Sequence, residues 1–202
     1  MSLANSSTNL HPGDDAFAVP EVRAQIHRMS IDTYHRLGEQ GMIDERTELI
    51  RGVVIDKMSK SPLHVWIATQ LADLLRDVVG PNFYLRAEQP LTLCDSEPEP
   101  DIAIVPGSPN DYRARHPIQA NLVVEVALSS EKLDREKAYL YAEAGFPEYW
   151  LILPNTRTVE LHQDPKAGVY KTVVSLGADQ TLTTQAAPEL TLRVADLFPP
   201  DA

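Results

Sequence analysis

Apolar positions recur along the chain at two spacings, and the spacing assigns the elements. From Ile31 through Tyr34 and Leu37 the interval is helical, with Ser30 placed as a cap and Gly41 as a stop. Between Glu48 and Met58, β-branched residues alternate with polar ones around Gly52, which predicts a hairpin. Pro62 opens a second helix, where its missing N–H costs little. Val65, Ala68, Leu71, Leu75 and Val78 continue it to Gly80–Pro81. Residues 83–87 and 90–94 read as strands. An acidic, proline-rich turn over 95–100 leads into a strand at 101–105. After a loop over 111–117 comes the run Leu122-Val123-Val124-Glu125-Val126, apolar enough for a strand covered on both faces. Ser129 or Ser130 can cap a helix over 131–144, which Gly145 ends. Residues 148–153 and 158–162 form a predicted hairpin, and 168–198 add short strands and a last turn at 194–198. Residues 1–28 show no periodicity and predict a poorly ordered tail, which leaves 29–202 as one domain. The order of elements implies an α/β fold with a central mixed sheet flanked by helices and extra antiparallel strands at the C-terminal end. No GxGxxG or GxxxxGK[ST] follows a strand, so the pattern is not that of a doubly wound nucleotide-binding fold.

Composition narrows the chemistry. A single cysteine, Cys94, excludes an internal disulfide and multi-cysteine zinc sites, and the six histidines are scattered without a ligand-pair spacing. No apolar run approaches the roughly 20 residues that cross a bilayer, and the first residues lack the pattern of a signal peptide. The expectation is therefore a cytoplasmic protein without membrane contact. The formal charge of −11 works against binding to a nucleic-acid backbone unless it is locally offset.

Four residues stand out against this background. Glu125 lies in the most apolar strand, where an ionised carboxylate needs a cation or strong donors to replace its hydration. Otherwise it sits near the strand end and reaches water, or pairs with an arginine. Asp101 stands where the acidic turn becomes an apolar strand. If the two strands are neighbours, both carboxylates reach one edge of the sheet, a site suited to a hard divalent ion. Lys137 falls four residues after Leu133 and three before Leu140, inside the stripe of Leu133, Leu140, Tyr141 and Ala144 that faces the core. It either snorkels to the rim or meets a carboxylate, and Glu125 on the preceding strand is available. Glu48, the fourth, is a polar position in an alternating strand. His64 opens a helix, where it faces water or touches a phosphate. Arg51, Lys57, Lys60 and the loop with Arg113, Arg115 and His116 are the remaining candidates for phosphate contact.

The order of these residues resembles a known family. Glu48 in TELIRG, Ser61-Pro62-Leu63-His64, Pro100–Asp101 before IAIV, LVVEV with Glu125, Asp134-Arg135-Glu136-Lys137 and the run from Tyr141 to Trp150 occur in sequence. The chain is thereby similar, over about residues 28–198, to the Uma family of restriction-endonuclease-like proteins, a branch of the PD-(D/E)xK nuclease superfamily. The resemblance implies a restriction-endonuclease-like core. It also implies Mg²⁺ (or Mn²⁺) at Asp101 and Glu125, with Glu48 completing the site and Lys137 as the catalytic lysine. The superfamily lysine normally lies two residues after the second acid. Here that position is Ala127, and Lys137 on the next helix takes the role. The implied activity is hydrolysis of phosphodiester bonds in nucleic acid, DNA foremost, by a homodimer, with phosphate contacts at His64, Lys60, Arg113 and Arg115. Two alternatives remain open at this point: a degenerate nuclease fold used as an interaction module, and a metal-dependent hydrolase of a small phosphorylated molecule.

Overall fold

The computed structural model of the chain describes residues 19–200. Most of the expected tail, residues 1–18, lies outside the described residues. Its remainder contains the short helix α1 (Pro20–Arg23), which buries no side chain. Helix α2 (Ile31–Glu39) starts where Ser30 Oγ accepts the Thr33 N–H, as the sequence predicts. Strands β1 (Thr47–Ile50) and β2 (Val53–Asp56) follow as an antiparallel pair. Ile50 pairs with Val53, so the connection is Arg51-Gly52 alone, and both residues have positive φ (53° and 72°). A two-residue turn of this kind matches the twist of the strands it joins. It also lies close to the preceding segment: a Cβ on Gly52 would sit 2.7 Å from Arg28 Cβ and 2.9 Å from the Met29 carbonyl oxygen. Gly52→Ala is therefore expected to cost about 1–3 kcal/mol, the usual range for a residue forced into a disfavoured backbone region. Thermal unfolding would read this as a fall of several degrees in melting temperature.

Helix α3 (Pro62–Val78) is capped by Ser61, whose Oγ accepts the His64 N–H. It buries Ile67, Ala68, Leu71, Ala72 and Leu75. Val65, expected in that stripe, is exposed, because the helix turns the Ile67 side to the sheet instead. The six-stranded sheet runs in the order β3 (Phe83–Ala87), β4 (Ile102–Pro106), β5 (Leu122–Val126), β6 (Glu148–Leu153), β7 (Thr158–Lys166) and β8 (Val169–Leu176). Only β5 and β6 are parallel, and α4 (Glu131–Glu143) is the crossover between them. The sheet is mixed, as expected. Residues 90–94 do not form the strand that their alternation suggests. Their N–H groups go to scattered partners, Leu91 to the Pro98 carbonyl, Thr92 to Pro117 and Leu93 to Ser96, so no ladder forms. A separate antiparallel pair, β9 (Thr181–Thr184) and β10 (Ala187–Arg193), is followed by a short 3₁₀ turn over Val194–Leu197.

The period of two along the central strands divides the core into layers. Ile102, Ile104, Leu122, Val124 and Val126 face α3 and the C-terminal strands with Leu182, Leu190 and Leu192. Ala103, Val105, Val123 and Ala127 face the other way, towards Ala138, Tyr141 and Ala142 of α4. By the same parity, Asp101 and Glu125 belong to the α4 layer. Both helices are thus held by apolar strands, and the two carboxylates are carried on the central strands of the sheet.

Candidate active site

The β4–β5 register pairs Ile102 with Val124. One more step along it sets Asp101, at the entry to β4, opposite Glu125 near the end of β5. The neighbour relation on which the two-acid reading depended is therefore present. The carboxylates also bind across the pair: the Val126 N–H donates to Asp101 Oδ2 at 2.8 Å, and the Asp101 N–H lies 3.4 Å from Glu125 Oε2. Glu48 comes from β1, all of whose residues are buried, so the expected alternation of exposure is absent there. Its Oε1 accepts the Glu99 N–H at 2.9 Å. Glu48, Asp101 and Glu125 are each at most 5% exposed.

Lys137 closes the group from α4. Its Nζ lies 2.9 Å from Glu48 Oε2, 3.0 Å from Glu125 Oε1 and 3.7 Å from Asp134 Oδ1. Tyr141 Oη donates to the same Glu125 oxygen at 3.0 Å. The lysine meets carboxylates instead of snorkelling to the rim. The inward stripe of α4 differs from the expected one: Asp134, Lys137, Ala138, Leu140, Tyr141 and Ala142 are buried, Leu133 is half-buried and Ala144 is exposed. Asp134 was missed as a site residue because an aspartate in a first helical turn normally faces water. Its position three before Lys137 and seven before Tyr141 is the signal that could have found it. Ser130 stands at the cap position, yet its hydroxyl donates to the Asp134 carboxylate and accepts from no backbone N–H of the first turn.

The opposite wall is basic. His64 Nε2 lies 2.9 Å from Asp101 Oδ1, and Lys60 Nζ lies 3.0 Å from the same oxygen and 3.2 Å from Glu88. His64 therefore points into the acid group and not to bulk water. Lys57 pairs with Glu99 at 2.9 Å on the same rim, and Arg51 pairs with Glu143 and Asp95 outside the cleft. The acids, Lys137, Lys60 and His64 all line one cleft of about 110 Å³. Arg113 and Arg115 do not join it; they are exposed on the loop after the 3₁₀ turn Pro109–Tyr112, beside α2.

Three carboxylates around one ammonium, each almost wholly buried, carry excess negative charge. Burial pushes the Glu125 carboxyl well above its ordinary pKa; Lys137 opposes this, while Asp134, Asp101 and Glu48 add to it. Asp134 is raised by the same burial, against Lys137 and Ser130. Asp101 behaves oppositely: burial would raise it, but His64, Lys60 and the Val126 N–H together hold it below the usual range. For Lys137, burial disfavours the ammonium, but Glu125, Glu48 and Asp134 outweigh it and hold the lysine protonated.

A consequence can be measured in metal-free protein. A carboxyl whose folded pKa is raised contributes stability below its unfolded value, near 4.5 for Glu125, and that stability is lost as pH rises through the folded pKa. Glu125→Gln, which fixes the neutral form, is thus expected to be at least as stable as wild type at pH 8 in chelator. Below pH 4.5 that advantage should vanish. Urea unfolding across this range checks it, and a large loss of stability at pH 8 would show that the ionised form is the favoured one.

The donor set suits a hard divalent cation, being all carboxylate oxygen and over-charged. Among the described residues, however, no three acidic, histidine or cysteine side chains stand together as a ligand set. The Lys137 ammonium lies between Glu48 and Glu125, while Lys60 and His64 cover one oxygen of Asp101. The residues fit the ion in chemistry and charge, with cationic side chains now holding the positions next to the acids.

Comparison with known proteins bears on the fold and the family. No curated protein matches the chain. Among solved structures, the fold matches a crystal structure described as a "putative nuclease belonging to DUF820" from Anabaena variabilis. The TM-score is 0.72 at 22% identity, over 84% of this chain and 97% of that one. Residues 31–195 match the Uma2 family, described as "Putative restriction endonuclease". The acids at the β4–β5 edge and the lysine on the crossover helix thus sit in a nuclease-like fold, and the chain belongs to the Uma2 family.

Proposed function

We propose that the protein is a Mg²⁺- or Mn²⁺-dependent endonuclease that hydrolyses phosphodiester bonds of nucleic acid, DNA foremost, as a cytoplasmic homodimer. The observation that carries this reading is the buried Asp101–Glu125–Lys137 group with Glu48, held at one sheet edge and open to a cleft with a basic wall. Asp101 and Glu125, with Glu48, would hold the metal. Such an ion, once bound, polarises a phosphoryl oxygen and lowers the pKa of water.

The chain's own groups account for the remaining needs of the reaction. Lys137, kept charged by its acidic neighbours, donates hydrogen bonds to a water at the acids or to charge developing on the phosphoryl group. Tyr141 fixes the Glu125 carboxylate and so the direction from which that oxygen acts. Lys60 and His64, the donors bound to Asp101 on the cleft wall, receive the scissile phosphate, releasing Asp101 as they do so.

The small cleft and the −11 charge favour one further reading, hydrolysis of a small phosphorylated molecule. A substrate panel with Mg²⁺ or Mn²⁺ separates the two: supercoiled plasmid, circular single-stranded DNA, RNA and bis(p-nitrophenyl) phosphate. The nuclease reading expects nicked or linear polymer. Turnover of the small diester alone would replace it with the second reading, and no turnover of any substrate would reject both.

A further inference from the structure

On the edge strand next to β4, on the sheet face that also carries Asp101, lies a guanidinium without an anion. Arg86, on β3, is 5% exposed. Its Nη2 donates to the Pro90 carbonyl at 3.4 Å and lies 3.3 Å from His116 Nδ1, both long contacts to neutral acceptors. Its Nε is buried with no hydrogen-bond partner, and Cζ lies 5.6 Å from the Tyr112 ring centroid. No carboxylate pairs with it among the described residues. Leaving a buried charge uncompensated is among the most costly arrangements a fold can hold, and unsatisfied buried donors are rare in native proteins.

The two side chains that touch Arg86 open onto space. Tyr112 and His116 both line a cavity of about 740 Å³ between α2 and the loop after Pro109–Tyr112. Arg113 and Arg115 stand on the same wall, exposed. The wall formed by α2 and the loop after it carries Asp32, Glu39, Asp44 and Glu45. An extended polyanion would meet that acidic wall, whereas a compact anion can sit against the basic side alone.

We propose that Arg86 anchors a second ligand site, separate from the acid cleft, which takes a compact oxyanion such as a phosphate group from this cavity, with His116 moving aside and Arg113 and Arg115 closing over it. The site does not depend on the nuclease reading. It gives a purpose to the basic loop, which the cleft does not use.

The test uses the full chain in phosphate-free buffer, with inorganic phosphate as the probe and thermal unfolding and calorimetry as readouts. Wild type is expected to show a saturable rise in melting temperature. Arg86→Met should abolish it, and unliganded Arg86→Met should melt no lower than wild type, since it removes an unpaired buried charge. Arg113→Ala/Arg115→Ala, both on an exposed loop, should weaken phosphate by about tenfold, the order expected for losing charged hydrogen bonds. A dT oligonucleotide that competes with phosphate would identify the oxyanion as part of a strand; no competition would identify it as a free anion. A phosphate shift unchanged by Arg86→Met, or no saturable shift in wild type, would overturn the proposal.

Discussion

Asp101→Asn is expected to lower metal-dependent cleavage by on the order of a thousandfold, the range associated with losing several kcal/mol of metal-centred stabilisation. The residue is isosteric, and its amide oxygen can still accept the Val126 N–H now bound at 2.8 Å. What disappears is the anion between the Lys60 and His64 donors and its share of any bound ion. Because the folded Asp101 pKa is depressed, its ionised form adds stability above the unfolded value, near 3.8, and that stability is lost as pH falls through the folded pKa. The variant should therefore also be less stable at neutral pH, by about 1–3 kcal/mol, as for other hydrogen-bonded charges. Plasmid nicking measured beside urea unfolding separates the two effects. A folded Asp101→Asn that cuts at the wild-type rate would remove Asp101 from the site.

Lys137→Met carries the second large effect. It removes the one ammonium that, among the described residues, lies within reach of Glu48, Glu125 and Asp134, and leaves three buried carboxylates facing each other. Breaking a buried ion group by deleting one side costs about 3–5 kcal/mol. The loss should shrink as pH is lowered towards 5, because the acids then take up protons and no longer need the cation. Mg²⁺ should restore part of it at neutral pH if the carboxylates hold the ion. Urea unfolding with and without Mg²⁺ reads all three. A variant as stable as wild type at pH 8 would mean that the acids are already neutral without the lysine.

The same group shows how far the sequence can be read. Glu125 was conspicuous because it interrupts an apolar run, and the strand parity then fixed its direction. Lys137 was conspicuous because it lies on an apolar stripe. Both signals are contrasts between a charged residue and its local pattern. Asp134 gave no such contrast: it sits among charged residues in a first helical turn, and only the packing of α4 against the sheet buries it. His64 likewise looked like an ordinary first-turn residue until the Ser61 cap and the course of α3 turned its ring to Asp101. The alternation over 90–94 is genuine, yet its N–H groups go to separate loop carbonyls instead of one strand, and pairing is decided by the tertiary fold. Arg86 was invisible because a single arginine in a strand of mixed polarity breaks no local rule.

The central claim is that Asp101 and Glu125 form a metal site that serves cleavage. Calorimetric titration of Mg²⁺ and Mn²⁺ into wild type and into Asp101→Asn/Glu125→Gln tests it most directly. The expected result is saturable binding in wild type that is absent from the folded double variant. No binding to wild type at millimolar metal, or equal binding to both proteins, would contradict it.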